Sequence, residues 1–331
     1  MTIDIPAEVA LAGFAVGLGF GALARWSGFC LRGAVEDVLT KPDAPRARGF
    51  LLAIVVLASV QALVLTGQLD LSKAVVLPTS LFWGGALLGG LLFGVGMVLT
   101  GGCGTRMLVL AGGGNLRSVV VFVVFGFVAY ATIRGILAPM RATLMAASSV
   151  TLTQQTLPLV AGGIVLALAV TFILWRPLST QQLIGGALIG ALVPAGYLVT
   201  AVLGHDDFNP TTVESINVTR GGGDSLIYLL TWTGSKINFG IAFVAGVLIG
   251  AALVALLRRE FRLEGFERPA DMLRYALGGA LMGAGGVLAL GCTVGNGLTG
   301  IASLAPTSFI ALPAMVLAAA ATLKWRWRTK A

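Results

Sequence analysis

Long apolar runs follow one another along the chain, and short segments that hold most of the charged residues separate them. A run of about 20 apolar residues is long enough to cross the hydrocarbon core of a bilayer as an α-helix. The pattern predicts nine such spans, at 7–26, 49–68, 81–100, 117–138, 157–175, 183–203, 237–257, 272–290 and 307–323. Because nine is odd, the two termini are expected on opposite sides of the membrane.

The composition agrees with this pattern. Hydrophobic residues make up 57% of the 331 residues, charged residues 11%, and the mean hydropathy is +0.94. A soluble domain of this composition would expose large apolar patches. The net charge of +8 does not indicate nucleic-acid binding, because the charges lie in short loops between apolar runs. The chain is therefore expected to be an all-α integral membrane protein, surrounded by lipid.

The positions of lysine and arginine predict the orientation. With the N-terminus outside, the inner loops and the tail hold sixteen of the 22 basic residues. The outer side then holds only Lys73, Arg134, Arg141, Arg220 and Lys236. Since cytoplasmic loops carry an excess of positive charge, the C-terminus is expected in the cytoplasm.

Four connections are half apolar and rich in glycine and hydroxyl residues, at 30–39, 103–114, 212–233 and 292–306. We interpret them as short re-entrant helices. With these helices included, spans one to four and spans six to nine have the same order of elements in opposite orientations. The expected organisation is a first inverted repeat at 1–138, a linker with the fifth span at 139–182, a second repeat at 183–323 and a basic tail at 324–331. Paired half-helices would then form an hourglass path at the centre.

The second half of each repeat also matches in sequence. Each of the three cysteines follows glycines thirteen and nine residues upstream. Aligned at Cys103 and Cys292, seven positions are identical: Gly89, Gly90, Gly94, Gly96, Val98, Leu99 and Gly102 correspond to Gly278, Gly279, Gly283, Gly285, Val287, Leu288 and Gly291. The cysteines are therefore predicted to lie at helix breaks.

Short helices that begin at these breaks would suit an anion, because helix N-termini offer unpaired N–H groups and a partial positive charge. Thiols are soft, weak donors and acceptors, and they suit a polarizable sulfur better than a hard oxyanion. The predicted binding residues are Cys30, Gly102, Cys103, Gly104, Thr105, Arg106, Gly291, Cys292, Thr293 and Asn296. Arg32, Glu214 and Asp224 are weaker candidates. No catalytic residue, resident metal or cofactor is expected.

Several alternatives remain open at this point. Cysteine is often a buried packing residue, and Arg106 or Arg32 could serve only to orient the chain in the membrane. Without a Cys-x-x-Cys motif, a dithiol oxidoreductase would need cysteines from different segments. A soft-cation channel suits the thiols but not the positive field of a helix N-terminus. A sulfurtransferase that holds sulfur as a cysteine persulfide fits the same residues.

Several segments resemble the YeeE/YedE family of bacterial inner-membrane sulfur-compound transporters, in particular its thiosulfate-uptake branch. The similar segments are 28–33 (GFCLRG), 102–106 (GCGTR), 223–229 (GDSLIYL), 231–234 (TWTG), 261–266 (FRLEGF) and 291–292 (GC). The resemblance implies nine spans with short inward-pointing helices, and a thiosulfate path along Cys30, Cys103 and Cys292. It also implies a small cytoplasmic sulfur carrier of the TusA type as a partner. Gly104 and Thr293 stand where many members have proline.

Overall fold

The protein is a bundle of α-helices. The computed structural model describes residues 5–67, 69, 80–151, 156–174, 178–204, 212–232, 237–266 and 268–328. The α-helices in this part of the chain are α1 (Ile5–Ser27), α2 (Leu31–Thr40), α3 (Pro45–Val56), α4 (Ala58–Leu65), α5 (Trp83–Leu99), α6 (Gly104–Gly112), α7 (Leu116–Ile133), α8 (Ala138–Ala147), α9 (Thr156–Leu174), α10 (Thr180–Leu198), α11 (Val218–Leu230), α12 (Phe239–Leu257), α13 (Pro269–Leu288) and α14 (Pro306–Arg328). Two π-helical segments, Val199–Leu203 and Gly295–Gly300, extend this set.

Seven helical stretches of the described residues are long and apolar enough to cross a membrane. They are Ala7–Thr40, Pro45–Leu65, Trp83–Gly112, Leu116–Ile133, Thr180–Leu203, Phe239–Leu257 and Pro306–Arg328. The expected class, an all-α integral membrane protein, is confirmed. Helices α9 and α13 coincide with the two other predicted spans, and the count of nine stays a prediction.

Two predicted spans differ from the helices found. The span at 49–68 is two helices, α3 and α4, which meet at Leu57, where one N–H donates to the carbonyls of both Ala53 and Ile54. The span at 117–138 ends five residues earlier, because α7 stops at Ile133 and Pro139 lies in the first turn of α8.

The sequence pattern did not predict the segment that includes α8. After α8, strand β2 (Ser149–Thr151) pairs antiparallel with strand β1 (Ser80–Phe82) at the start of α5. Three residues in each strand are too few to produce a periodic pattern. This small ladder ties the end of α8 to the start of α5.

All four segments interpreted as re-entrant contain short helices. They are α2, α6, α11 and the helical residues 293–302 around the π-helix. Helix α2 is fixed by an ion pair: the fully buried carboxylate of Asp37 accepts from Arg46 Nη2 at 2.7 Å and from Nε at 3.0 Å. Since Arg46 is on α3, this pair anchors the short helix to its neighbour.

Glycines form the closest contacts between the long helices. Gly17 and Gly21 of α1 lie against the backbone of Phe243 and Val247 on α12, and Gly246 of α12 in turn lies against Phe14. Helices in membranes associate through such small residues, which let their backbones approach closely.

Helices α5 and α13 cross in the same way. Gly89 lies against Gly285, and Gly96 lies against Gly278. Backbone-to-backbone seams therefore join α1 to α12 and α5 to α13.

Candidate functional site: a buried thiol cluster between two basic cavities

Each cysteine follows a sharp turn that ends a long helix. The residue two positions before each cysteine has a left-handed backbone: Gly28 with φ 67°, Gly101 with φ 83° and Leu290 with φ 60°. Such a residue commonly terminates a helix, and glycine adopts this conformation without strain. Leucine does not, and the left-handed conformation costs it about 1 kcal/mol or more. The three predicted helix breaks are present in the structure.

A new short helix begins directly after each break. Cys30 is the N-cap residue of α2, and Cys103 is the N-cap residue of α6. The helical residues that follow Cys292 begin at Thr293. The three thiols therefore lie at the N-terminal ends of short helices, where the helix dipole favours negative charge.

The thiols are buried together. Cys30, Cys103 and Cys292 are free thiols with 7%, 2% and 0% of their surface exposed. The Cys30 and Cys103 side chains face one another. The Thr105 hydroxyl oxygen and the Cys292 sulfur are 3.9 Å apart. Thus Thr105 of α6 links the two halves of the chain at this point.

Thr293 belongs to the same group of side chains. Its hydroxyl is close to the Cys103 thiol, yet it makes no hydrogen bond of ordinary geometry within the described part of the chain. The Cys292 sulfur accepts a hydrogen bond from the Gly295 N–H at 3.4 Å. We call the cluster of Cys30, Cys103, Cys292, Thr105 and Thr293 the waist.

Asn296 supports the waist through its own hydrogen bonds. Its side-chain Nδ2 donates to the carbonyls of Ala289 at 3.1 Å and Gly291 at 2.7 Å. Its Oδ1 accepts from the Ser308 hydroxyl at 2.9 Å. Since both amide N–H groups are used, Asn296 fixes the turn before Cys292 and has no free donor for a ligand.

The predicted glycines are positions of close packing. A Cβ at Gly102 would lie 2.6 Å from the end of Met107, and one at Gly291 would lie 3.1 Å from the Asn296 amide. Gly104 has slightly more room, since a Cβ there would lie 3.4 Å from the Phe125 ring. These residues keep the helix starts compact.

Arg106 faces a cavity of about 270 Å³, which we call the Arg106 cavity. Its other lining residues include Arg25, Asn115, Glu260, Arg262 and Glu264. The two acids have partners: Glu260 pairs with Arg25 at 3.3 Å, and Glu264 accepts from Asn115 at 2.7 Å. The buried Nη1 of Arg106 makes no hydrogen bond to any described residue.

Arg32 is placed differently, because its guanidinium forms an ion pair with Glu36 of α2 at 3.3 Å. Glu36 lies one turn further along the same helix and neutralises the charge of Arg32. Each arginine keeps one buried N–H without a partner among the described residues, Nε of Arg32 and Nη1 of Arg106. The positive charge of Arg32 is offset by Glu36, whereas Arg106 forms no ion pair with the described residues, so Arg106 is the better placed of the two to hold an anion.

A second cavity, of about 630 Å³, lies at the other ends of α7 and α12, and we call it the Arg141 cavity. Asn217 joins it to the waist: its side chain donates to the Leu290 carbonyl at 3.5 Å and lies against Gly295. Asp224 lines this cavity, and Glu214 pairs with Arg220 of the cavity wall at 3.8 Å. The structure places these two acids at the Arg141 cavity and not among the thiols.

Sequence reasoning missed the other polar groups of the Arg141 cavity, chiefly Arg134, Arg141 and Thr219. The two arginines entered only as members of the outer charge count. Their place among the five basic residues expected on the outer side was the one available indication. In the described residues, no group of three or more His, Cys, Asp or Glu side chains could hold a metal ion.

A buried cluster of thiols at helix starts, between two cavities at opposite ends of a membrane bundle, defines the class as a polytopic membrane protein with the organisation of a transporter. Comparison with known proteins agrees with this class. The family model for sulphur transport matches residues 26–321, so the chain belongs to this family, and the resemblance to YeeE/YedE proteins is confirmed.

Two curated relatives cover nearly the whole chain. The thiosulfate transporter TsuA of Spirochaeta thermophila is 28% identical over 322 residues, with 90% of this chain and 93% of the relative aligned. The thiosulfate transporter TsuA of Escherichia coli is 29% identical over 342 residues, with 93% and 92% aligned. The protein is accordingly a sulfur transporter and not an enzyme.

Proposed function

We propose that the protein imports thiosulfate, or a closely related sulfur anion, along a path from the Arg141 cavity through the waist to the Arg106 cavity. The observation that carries the proposal is the waist itself: three free, buried thiols at the starts of short helices, between two cavities lined by arginine. The names of the two relatives support thiosulfate as the substrate.

The chemistry of the waist suits this anion. Thiosulfate has one soft terminal sulfur and three hard oxygen atoms. The thiols can form weak contacts with the soft sulfur, while helix N-termini and Arg106 favour the negative charge. Weak contacts at several stations allow an ion both to enter and to leave, as conduction requires. Each thiol would then serve as one station.

The packing of the glycines supports two inverted halves. Gly90 and Gly279 are equivalent in the alignment of the two halves, and each lies against the last long helix of a half: Gly90 against Ala311 of α14, and Gly279 against Val121 of α7. In the seam between α5 and α13, Gly89 lies against Gly285 and Gly96 against Gly278, and the alignment of the two halves exchanges these two contacts. We therefore propose nine spans and four re-entrant helices around an hourglass path, with α9 as the linker helix.

We propose that the N-terminus lies outside the cytoplasmic membrane and the C-terminus inside, because sixteen of the 22 basic residues then fall on the inner side. An alkaline phosphatase fusion at Ala331 should be inactive in cells, while a green fluorescent protein fusion at the same residue should fluoresce. Active phosphatase at Ala331 would reverse the orientation of both cavities.

A small cytoplasmic sulfur carrier of the TusA type is the proposed receiver of the sulfur. The waist also contains the thiols that a persulfide-forming enzyme would need, and this alternative predicts that uptake requires the carrier.

Uptake of radiolabelled thiosulfate into proteoliposomes separates these functions. We expect intact thiosulfate to accumulate without a carrier protein. Uptake that needs the carrier, with a persulfide on a cysteine, would favour the enzyme, and transport of Cu(I) without thiosulfate would favour a soft-cation channel.

Arg106 should matter more than Arg32 for uptake. The buried Nη1 of Arg106 has no partner among the described residues, and Arg106→Gln removes this positive charge from beside the waist. Arg32→Gln, in contrast, removes a charge that is already paired with Glu36. We expect a strong rise in the half-saturating thiosulfate concentration for Arg106→Gln and a small one for Arg32→Gln. Near-normal uptake by both variants would exclude a basic anion site at Arg106.

A further inference from the structure

The Arg141 cavity has the size and lining of a binding site in its own right. It lies between the ends of α7 and α13, helix α8, and the starts of α11 and α12. Its volume of about 630 Å³ is within the range of small-molecule sites. Its polar lining groups are Tyr130, Arg134, Arg141, Asn217, Thr219, Arg220, Asp224 and Asn238.

The charges in this cavity leave a positive excess. Asp224 is held by Asn238 Nδ2 at 3.1 Å and lies 3.9 Å from Arg220 Nε, and Arg220 also pairs with Glu214. Arg134 and Arg141 form no ion pair with the described residues. The cavity wall therefore balances its acids with Arg220 and keeps two further positive charges.

Two donors in this wall are buried and unused. Neither the Thr219 hydroxyl nor Arg141 Nε has a hydrogen-bond partner within the described ranges. Thr219 is only 3% exposed and packs against Gly286 of α13. A Cβ atom added at Gly286 would lie 2.8 Å from the Thr219 Oγ1. Leaving a buried donor without a partner is unfavourable, so these groups indicate a ligand that accepts hydrogen bonds.

Neighbouring contacts hold both donors in place. The guanidinium of Arg141 donates to the Ile133 carbonyl at 3.4 Å and to the Met145 sulfur at 3.7 Å. Thr219 is in the first turn of α11, and the Asn217 side chain caps its N–H at 3.0 Å. The positive end of the α11 dipole therefore adds to the field in the cavity.

We infer that the Arg141 cavity is an entry site for divalent tetrahedral oxyanions, which binds their oxygen atoms through Thr219 and Arg141 and does not distinguish thiosulfate from sulfate. Every polar group in its wall is a hard nitrogen or oxygen donor or acceptor. The soft thiols are in the waist. Discrimination between sulfur and oxygen therefore takes place after entry, and sulfate occupies the entry site without passing further. The role of the site in uptake rests on the proposed function, whereas sulfate binding does not.

Sulfate binding to the purified protein tests this inference directly, because sulfate has no soft sulfur for the waist. Isothermal titration at constant ionic strength should show binding of sulfate to the wild type and to Cys292→Ala alike. Thr219→Val and Arg141→Gln should each weaken it about tenfold, as expected for loss of a hydrogen bond to a charged ligand. Thr219→Ser, which keeps the hydroxyl, should bind sulfate like the wild type and controls for folding.

Matched substitutions elsewhere provide the controls. Thr322→Val changes a threonine whose hydroxyl already bonds to the Ala318 carbonyl at 2.7 Å, and Arg259→Gln removes an exposed charge at the other end of the bundle. Neither should alter sulfate binding. In uptake assays, sulfate should raise the half-saturating thiosulfate concentration of the wild type, and the same rise in Arg141→Gln should need about tenfold more sulfate.

Wild-type protein that binds thiosulfate but not sulfate would overturn the inference. Unchanged sulfate binding in both Thr219→Val and Arg141→Gln would also overturn it. Failure of the proposed function looks different: the wild type would then bind sulfate as described and import no thiosulfate.

Discussion

Thiosulfate uptake should fall to near background when either Cys103 or Cys292 is replaced by alanine. Both thiols lie in the waist, Cys103 beside Cys30 and Thr293, and Cys292 beside Thr105. Removing one thiol removes a station from a path in which each contact is weak, so the remaining stations cannot pass the ion onward. Initial rates of uptake of radiolabelled thiosulfate into proteoliposomes measure the effect.

The serine variants separate two roles of the thiol. Serine keeps a donor of similar geometry but replaces soft sulfur by hard oxygen, so partial activity would indicate hydrogen bonding and none would indicate a need for sulfur itself. Cys30→Ala should be milder, because the second half of the chain has no cysteine at the matching place. Met97→Leu, a volume-conserving change at a fully buried site in α5, controls for core disturbance. The transport proposal is falsified if all three alanine variants fold and import thiosulfate at the wild-type rate.

Gly250→Ala should strongly destabilise the bundle, although it adds only one methyl group. A Cβ at Gly250 would overlap the backbone carbonyl of Leu18 on α1, and backbone atoms cannot rotate away as a side chain can. Overpacking of this kind costs about 1–3 kcal/mol where side chains can adjust, and more is expected at a backbone seam. The melting temperature of the detergent-purified protein should fall clearly.

Gly163→Ala is the matched control for that experiment. Gly163 lies within α9, and a Cβ there would meet no atom within 4 Å. Alanine has the higher helix propensity, by about 1 kcal/mol, so this variant should be as stable as the wild type or slightly more stable. An equal loss of stability in both variants would show that the seam between α1 and α12 is not what makes Gly250 necessary.

The helix breaks could be predicted from sequence because they depend on local features. Glycine two residues before Cys30 and Cys103 supplies the left-handed turn, and the repeated spacing made the third break visible by analogy. At the third break the left-handed residue is Leu290, which no sequence rule would select. Its conformation is held by surrounding contacts, among them the hydrogen bond that its carbonyl accepts from the Asn217 side chain.

The arrangement of the site depended on contacts between distant parts of the chain. Thr105 and Cys292 were both expected on the path, but their direct contact across 187 positions could not be read from either segment. Thr219 and Arg141 were missed for the same reason, since neither belongs to a motif and α8 lies outside the matched halves. Asn296 was predicted to bind the ligand because of its residue type. In the structure, both N–H groups of its side-chain amide donate to backbone carbonyls, so its role is to support the turn.

The glycine seam between α1 and α12 also limits which parts of the protein can move. Where a carbonyl oxygen rests in the space of a missing Cβ, sliding the two helices by less than a helical turn would bring that carbonyl against a residue that carries a side chain. Packed helices of this kind shift between discrete arrangements and do not deform continuously. We therefore expect the long helices to behave as a fixed frame during a transport cycle. In that case the route would open and close through displacements of the short helices, and not through rocking of one half against the other.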